Sequence, residues 1–387
     1  IAALVAKTLN NTDAAREIFA LRDDAAQDMI DLLQALLESD NRNIEDPWYR
    51  RCYLDALIRL SKKSGRYPMS LVIHNLEVPD PNTRPVGQGG FGEVFQARMQ
   101  GRLVAIKKLK IRQNDANEML KKTFAYEVIV WWHIRHPNCL PLLGVHQREG
   151  NSYMVSLWME NGTLNSYITR HPETDRNSFV LDVASGLEYL HTLKPHVCHG
   201  DLNGNNVLVT PSGRACVADF GFSTSSVSQA LLQTSTAPQG GGTLHYISPE
   251  LLNTATTNIG KLDQRRCDMY SFGCVCYELY SGHRPFYNLP AVAVQARKLS
   301  GHTPGRPTEP ECISRGLDDE MWSFMSNLWL PGPKSRATAT EALRWLLEKK
   351  LGNVLARRRA DEDRDMTIRS TAQLNRETAG YPLVSWA

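Results

Sequence analysis

The sequence predicts an α+β fold in which an antiparallel β-sheet is preceded by a helical segment and followed by a larger helical region. Two apolar runs on either side of a turn at residues 99–102 predict a β-hairpin from Glu93 to Lys107. Downstream, apolar side chains recur at helical spacing, as in Phe179, Val183, Leu187 and Leu190. With 387 residues, 42% of them hydrophobic, the chain is long enough for one large two-lobed domain and a smaller appendage.

Residues 1–80 are predicted to form a separate helical segment. Apolar residues repeat at helix spacing within residues 24–39, and a second helix is marked by Pro47 at its first position and Gly65 just past its end. Three prolines within residues 78–85 predict a linker. Because amphipathic helices more often pack on a core than on a partner, we expect packing on the rest of the chain. A partner protein at these helices, or a larger N-terminal domain, are the alternatives.

A glycine-rich turn precedes the predicted hairpin. Gly87-Gln-Gly89-Gly-Phe-Gly92 has the GxGxxG spacing, which by itself is also typical of dinucleotide-binding folds. Those folds need a helix after the glycines, whereas here the chain continues as a hairpin that ends in Val104-Ala105-Ile106-Lys107. Because glycine lacks a Cβ atom, such a hairpin can bring its backbone close to phosphate groups.

The most informative stretch is His199-Gly-Asp201-Leu-Asn-Gly-Asn-Asn206, which is followed by Asp219-Phe-Gly221. Asp, Asn and Gly also cluster in ordinary turns, so either motif alone is weak evidence. The flanks make the pair stronger, because the apolar runs 207–209 and 216–218 surround a turn at 210–213. They predict a buried hairpin that brings the two acidic residues to neighbouring strand ends.

With these motifs the chain resembles the eukaryotic protein-kinase family from about Arg84 to Leu351. The segments Gly242–Glu250, Asp268–Gly273 and Ser335–Thr338 are similar to later motifs of the family, in the same order. The resemblance implies the bilobal protein-kinase fold, with an antiparallel β-sheet small lobe and a helical large lobe. The implied boundaries are 81–157 for the small lobe, 158–351 for the large lobe and 352–387 for a charged, flexible tail.

The resemblance also implies roles for individual residues. Asp201 would accept the proton of the substrate hydroxyl, and Asn206 and Asp219 would hold Mg²⁺ on ATP. Lys107 would bind the α- and β-phosphates, and Glu127 would position it. Further nucleotide contacts would come from the glycine-rich hairpin and from the hinge between the lobes: Val86, Gly87, Gly89, Gly92, Val94, Ala105, Leu157 and Met159.

Two interior contacts of the large lobe follow from the same resemblance. Glu250 would pair with Arg336, and Asp268 would accept hydrogen bonds from the backbone of the loop that carries Asp201. Thr243, seven residues before Glu250, is typical of kinases that phosphorylate Ser or Thr. The segments around residues 136–144 and 158–164 are most similar to the tyrosine-kinase-like group, most of whose members have that specificity. Protein Ser/Thr hydroxyls are therefore the expected substrates.

Two departures from the family pattern bear on activity. Gly200 stands where the family usually has an Arg, and Asn203 stands where Ser/Thr kinases have a Lys directed at the transferred phosphate. Losing one donor to transition-state charge costs on the order of 10²–10³ in rate. A pseudokinase that binds ATP or partner proteins as a signalling scaffold is therefore the main alternative. His-Gly-Asp is also found in aminoglycoside and choline kinases, which makes a small-molecule phosphotransferase the third hypothesis.

Composition narrows the function classes further. A net charge of +3 with only short basic runs gives no reason to expect nucleic-acid binding. Eight cysteines without metal-ligand spacing predict core thiols in a reducing compartment, and hence a cytoplasmic protein. No apolar run approaches the ~18 residues expected of a membrane span.

The glycine at position 200 leads to the first testable prediction. Without an arginine before Asp201, no guanidinium is available there to pair with a phosphorylated residue in the segment from Asp219 to Glu250. We therefore expect phosphatase treatment to leave phosphoryl-transfer activity unchanged, measured on one preparation before and after treatment. A steep rise in turnover when this segment is phosphorylated would contradict the prediction.

Overall fold

The computed structural model describes residues 2–38, 47–80, 83–88, 92–109, 117–219, 243–253 and 262–349. Several predicted features lie outside these ranges. They are the tail, Pro81 and Asn82 of the linker, Gly89, and the residues from Phe220 to Gly242. The side chain of Thr243 also lies outside the described atoms, so the role implied for it stays a prediction.

The small lobe contains a five-stranded antiparallel sheet, in the spatial order β1-β2-β3-β5-β4. The predicted hairpin is the β2–β3 pair, in which Val94 lies opposite Lys107. The α+β fold class with this sheet is therefore confirmed. The strands are β1 (Gly87–Gln88), β2 (Gly92–Met99), β3 (Arg102–Leu109), β4 (Leu142–Arg148) and β5 (Asn151–Leu157), with helix α5 (Asn117–His133) between β3 and β4.

In the part of the chain that the structure describes, four α-helices precede the sheet: α1 (Ala2–Asn10), α2 (Thr12–Ala20), α3 (Asp23–Glu38) and α4 (Pro47–Ser64). The apolar spacing predicted α3 and α4, whereas α1 and α2, at nine residues each, are too short to show a clear repeat. Helix α4 packs against α5, and its Leu57 and Leu60 lie in one buried cluster with Phe124 and Val128 of α5. The expected packing of these helices on the rest of the chain is thus confirmed.

The large lobe is built around helix α9, which is buried continuously from Cys267 to Tyr280. The predicted short hairpin is present as an antiparallel pair of strands. The elements of this lobe are α6 (Leu164–Arg170), α7 (Arg176–Thr192), β6 (Val207–Val209), β7 (Ala215–Val217), α8 (Pro249–Leu252), α9 (Gln264–Ser281), α10 (Ala291–Leu299), α11 (Pro310–Ser314), α12 (Asp319–Leu328) and α13 (Ala339–Glu348).

The burial of the cysteines agrees with the prediction made from the sequence. The eight cysteines all lie in the described ranges and form no disulfide, and all but Cys52 are buried, as predicted for core residues. In the described ranges, no helix combines the length and the apolar character that a membrane crossing requires.

Arg336 and Glu250 form the buried ion pair that the resemblance implied. The Nη1 and Nη2 atoms of Arg336 donate to the two carboxylate oxygens of Glu250 at 2.5 and 2.9 Å. The Nε atom donates to the carbonyl of Leu330 at 2.8 Å, and the guanidinium lies 5.1 Å from the ring centre of Tyr270. Burial raises the pKa of Glu250, but the hydrogen bonds and charge of Arg336 outweigh it, so that the pKa is lowered.

We predict that Arg336→Met lowers the free energy of unfolding by about 3–5 kcal/mol, because it leaves the carboxylate of Glu250 partly buried without its partner. Urea denaturation of both proteins measures this difference. Arg306→Met is the control, since the Arg306–Asp319 ion pair is exposed and should contribute only about 0–1 kcal/mol. Equal losses from the two substitutions would contradict the structural role of Arg336.

Candidate active site

The loop that carries Asp201 is fixed by a buried carboxylate at the start of α9. The Asp268 oxygens accept hydrogen bonds from the backbone N–H groups of His199 at 2.8 Å and Gly200 at 2.9 Å. His191 lies on the same carboxylate, with its Nε2 atom 2.8 Å from Oδ2. Because this loop has no regular secondary structure, its N–H groups need side-chain acceptors. Asp268 therefore has the position and contacts that the sequence predicted.

Asp201 is held by the amide of Asn206. Nδ2 of Asn206 donates to the backbone carbonyl of Asp201 at 2.7 Å and to its Oδ2 atom at 2.9 Å. The other carboxylate oxygen, Oδ1, is buried and accepts no hydrogen bond from the described residues. Burial raises the pKa of Asp201 to about 7, against the Asn206 hydrogen bond and with a contribution from the charge of Asp219. The loop thus presents one carboxylate oxygen that is fixed and one that is not engaged.

Lys107 of the small lobe contacts Asp219 of the large lobe. The Nζ atom of Lys107 lies 2.7 Å from Oδ1 of Asp219, and the lysine side chain is only 7% exposed. Asp219 directly follows the β6–β7 hairpin, where the N–H of Ala218 donates to the carbonyl of Asn206 at 2.9 Å. Its φ of +58° is rare for a residue with a side chain, and such strained backbone is concentrated at functional sites. Four of the sequence-predicted residues therefore meet at the end of this hairpin.

Glu127 lies on α5, within reach of the charges of Lys107 and Asp219. Its two carboxylate oxygens are buried and accept no hydrogen bond within the described part of the chain. Burial raises the pKa of Glu127 to about 8, although the nearby charge of Lys107 lowers it. The sequence predicted that Glu127 would position Lys107. In this structure Lys107 donates to the carboxylate of Asp219, and the role of Glu127 stays a prediction.

The two departures from the family pattern have local structural causes. Asn203 is buried, and its Nδ2 atom donates to the carbonyl of Asp201 at 3.0 Å while its Oδ1 atom accepts the N–H of Asn205 at 3.0 Å. Its amide therefore supports the loop backbone and does not reach outward as a lysine would. Gly200 has a φ of +81°, a conformation in which an arginine would be strained.

The predicted nucleotide contacts of the sheet share one face. Val94 lies directly opposite Lys107, and Ala105 is two residues before Lys107 on β3, so that all three side chains point to the same side. The remaining positions flank this face: Val86 and Gly87 at β1, Gly92 at the start of β2, Leu157 at the end of β5 and Met159 just after it. Gly89 lies outside the described residues.

A second carboxylate below the loop was missed by the sequence analysis. Glu278 of α9 accepts hydrogen bonds from the Tyr246 hydroxyl at 2.7 Å and from Nδ2 of Asn165 at 3.0 Å. Burial raises its pKa to about 7. A Cβ atom at Gly204 would lie 2.5 Å from Glu278 and 2.1 Å from Asn165, so the loop packs tightly on this pair. The sequence signal that could have indicated Glu278 is an acidic residue within the apolar run of α9.

Comparisons with known proteins agree with this geometry. The sequence profile of the protein kinase domain matches residues 82–346. The calmodulin-binding receptor-like cytoplasmic kinase 3 of Arabidopsis thaliana is 32% identical over 288 residues, which are 70% of this chain and 54% of that protein. The putative L-type lectin-domain containing receptor kinase I.4 of the same plant is 35% identical over 221 residues, covering 55% of this chain and 31% of the relative.

A third relative, the probable serine/threonine-protein kinase SIS8 of Arabidopsis thaliana, is 32% identical over 268 residues, which are 67% of this chain and 24% of the relative. The chain thus spans about a quarter to a half of the length of these curated relatives. The matched profile covers the sheet, the loop with Asp201 and the ion pair of Arg336. This chain belongs to the protein kinase family.

Proposed function

We propose that this chain transfers the γ-phosphate of ATP, in the presence of Mg²⁺, to Ser or Thr hydroxyls of protein substrates. The observation that carries the proposal is the convergence of Asp201, Asn206, Asp219 and Lys107, with Lys107 and Asp219 in contact although 112 positions apart in the sequence. Ser/Thr specificity is supported by the position of Thr243 before Glu250 and by the similarity to a kinase named for serine and threonine.

The residues present fit a nucleotide with a bound magnesium ion. Mg²⁺ prefers oxygen ligands, which Asn206 and Asp219 offer. The amide nitrogen of Asn206 is engaged by Asp201, so Oδ1 is its atom for a cation, and the carboxylate of Asp219 is 32% exposed. At Gly92 a Cβ atom would lie 2.5 Å from the carbonyl of Lys108, which explains the glycine at this point of the hairpin. When bound, ATP would supply the phosphoryl group, and Mg²⁺ would offset the negative charge of the phosphates.

In this proposal each residue of the chain has a distinct task. Asp201 accepts the proton of the substrate hydroxyl through Oδ1, the oxygen with no hydrogen bond from the described residues. Asn206 fixes the orientation of that carboxylate through Oδ2. Lys107 lies on the face of the sheet formed with Val94 and Ala105, where it binds the phosphates. Asp219 would hold the metal, and Glu127 would then be the acid that positions Lys107.

A signalling scaffold without transfer activity is the second candidate function. It is favoured by one specific observation, the inward-turned amide of Asn203, since a position that carries a cation in active Ser/Thr kinases here supports the loop backbone. A small-molecule phosphotransferase is supported only by the His199-Gly-Asp201 spacing. Binding of a partner protein at the N-terminal helices, and a cytoplasmic location, stay predictions.

The decisive measurement is transfer of radiolabelled γ-phosphate to a generic protein substrate. We expect Asp201→Asn to lower the rate by about 10²–10⁴, because it removes the proton acceptor, while Mg-ATP binding persists. Asp28→Asn, an equivalent change at an exposed site on α3, should have no effect. Equal transfer by the native chain and Asp201→Asn would refute the catalytic assignment. Mg-ATP binding without transfer by the native chain would favour the scaffold.

Glu127→Gln tests the buried acid on α5. Folding raises the pKa of Glu127 from 4.5 to about 8, so between these pH values the unfolded chain loses its proton while the folded chain keeps it. Glu127 therefore lowers stability increasingly as the pH rises through this range. We expect Glu127→Gln to stabilise the nucleotide-free protein by about 1–3 kcal/mol at pH 8 and to have little effect at pH 4.5, as measured by urea denaturation.

The same substitution should slow phosphoryl transfer, because a neutral amide holds Lys107 less strongly than a carboxylate. Glu118→Gln is the matched control, since Glu118 lies exposed on the same helix beside Lys122 and contributes little. Loss of stability at pH 8 in Glu127→Gln would show that the buried acid is charged in the free protein.

A further inference from the structure

Helix α10 is attached to the large lobe by one of its faces. Val294 and Lys298, four positions apart, are both fully buried, and the helix packs on α8. The Nζ atom of Lys298 donates to the carbonyls of Leu244 at 3.1 Å, His245 at 2.8 Å and Ile247 at 2.8 Å. Because residues four positions apart lie on the same side of an α-helix, these two side chains define the buried face of α10.

The opposite face of α10 is apolar and exposed. Val292, Ala296 and Leu299 follow one another at intervals of four and three positions, and helical geometry places them on the side away from Val294 and Lys298. Val292 is 80% exposed and Leu299 is 47% exposed. A surface helix ordinarily directs its apolar side chains to the core and its polar ones to water. The outer stripe of α10, formed by these three residues, is therefore a second apolar face without a partner in the described part of the chain.

A crevice with aromatic walls precedes the outer stripe in the chain. Its volume is about 210 Å³, and it is lined by the turn after α9 and by residues 305–309. Tyr287, one of the lining residues, is exposed, and its ring stacks on that of His283 with 4.4 Å between the ring centres. Exposed aromatic side chains of this kind are enriched at protein interfaces. Because only five positions separate Tyr287 from Val292, one short polypeptide segment can reach both the crevice and the outer stripe.

The charge around this surface has one sign. Residues 279–308 contain no Asp or Glu, whereas they contain three Arg, one Lys and two His. Arg284 and Arg297 are exposed, and neither forms an ion pair with a carboxylate of the described residues. The third arginine pairs with Asp319 at 2.7 Å, and Glu309 is the one acidic residue that lines the crevice. The surface is therefore complementary to a partner that carries acidic groups beside apolar ones.

We propose that the outer stripe of α10 and the adjoining crevice bind a separate protein, through a short segment that carries apolar side chains beside Asp or Glu. The apolar side chains of that segment cover Val292 and Leu299, and its carboxylates lie on Arg284 and Arg297. A second copy of this chain would bring the same arginines together, so the charge favours a different, acidic protein. The proposed surface does not depend on the proposed function, because an active kinase and a scaffold can both use it.

The test selects a display library of random short peptides in parallel on the full native chain, on the double variant Val292→Gln with Leu299→Gln, and on Leu4→Gln. Leu4 is an exposed apolar residue of α1, so the last variant is the matched control. We expect one class of peptides to be enriched on the native chain and on Leu4→Gln but not on the double variant. Its sequences should combine apolar residues with Asp or Glu, as the basic surroundings of the outer stripe require.

The affinity of a peptide from this class is then measured by fluorescence anisotropy. We expect its Kd to rise about tenfold or more in the double variant, because the apolar centre of an interface carries most of the affinity. Arg297→Gln, which was not used in the selection, should raise the Kd several-fold and make binding less dependent on salt.

Three results would each overturn the proposed surface. The first is the lack of any peptide class that distinguishes the native chain from the double variant, and the second is a class without acidic residues or with an unchanged Kd in Arg297→Gln. The third is a native dimer in sedimentation that the double substitution dissociates, since this would assign the outer stripe to a second copy. The substituted side chains are exposed, so urea denaturation should show unchanged stability. None of these measurements involves phosphoryl transfer, so their outcome is separate from that of the proposed function.

Discussion

The site depends on one buried carboxylate, which accepts hydrogen bonds from the backbone N–H groups of an irregular loop. Asp268 is 2% exposed at the start of α9, and it accepts the N–H groups of His199 and Gly200 immediately before Asp201. A buried loop with unpaired N–H groups would lose roughly 1–3 kcal/mol for each of them, so the loop is stable in this position only while the carboxylate is there. The position of Asp201 is therefore set by the core of the large lobe and not by the sheet above it.

Buried charged side chains also bind backbone groups at two other places in the large lobe. Asp182 of α7 pairs with Arg214 and also accepts the N–H of Ala215, which fixes the second strand of the short hairpin before Asp219. Lys298 does the corresponding work for carbonyl groups. Each of these charged side chains comes from a well-packed helix. Each binds backbone N–H or carbonyl groups that have no partner in a neighbouring strand. The packed helices therefore hold these charged side chains in place, and the side chains in turn fix the conformation of the backbone that they contact.

Local spacing was sufficient to predict the parts of this arrangement that are encoded locally. The hairpin before Asp219 and helices α3 and α4 follow from short-range spacing. The pairing of Arg336 with Glu250, 86 positions apart, was implied only by the family resemblance. The contacts of Lys298 and Asn203 did not follow from the sequence. Lys298 stands beside Arg297 near the end of a short helix, where a lysine is ordinarily solvated, and only the packing of α10 on the segment before α8 removes it from water. Asn203 likewise reads as a turn residue until its two backbone contacts are seen.

Glu127 and Lys107 show why sequence alone could not give the state of the site. Both lie at the positions that the motifs indicated, yet Lys107 contacts Asp219, and Glu127 is buried in surroundings that raise its pKa. Moving Lys107 to Glu127 would require Glu127 to ionise in a site that raises its pKa, and a cation bound at Asp219 would offset that cost by releasing Lys107. Because α5 is packed against α4, the helix that carries Glu127 is held from outside by the N-terminal segment. Helix α5 therefore carries Glu127, within reach of the charge of Lys107, and also packs on the N-terminal helix α4.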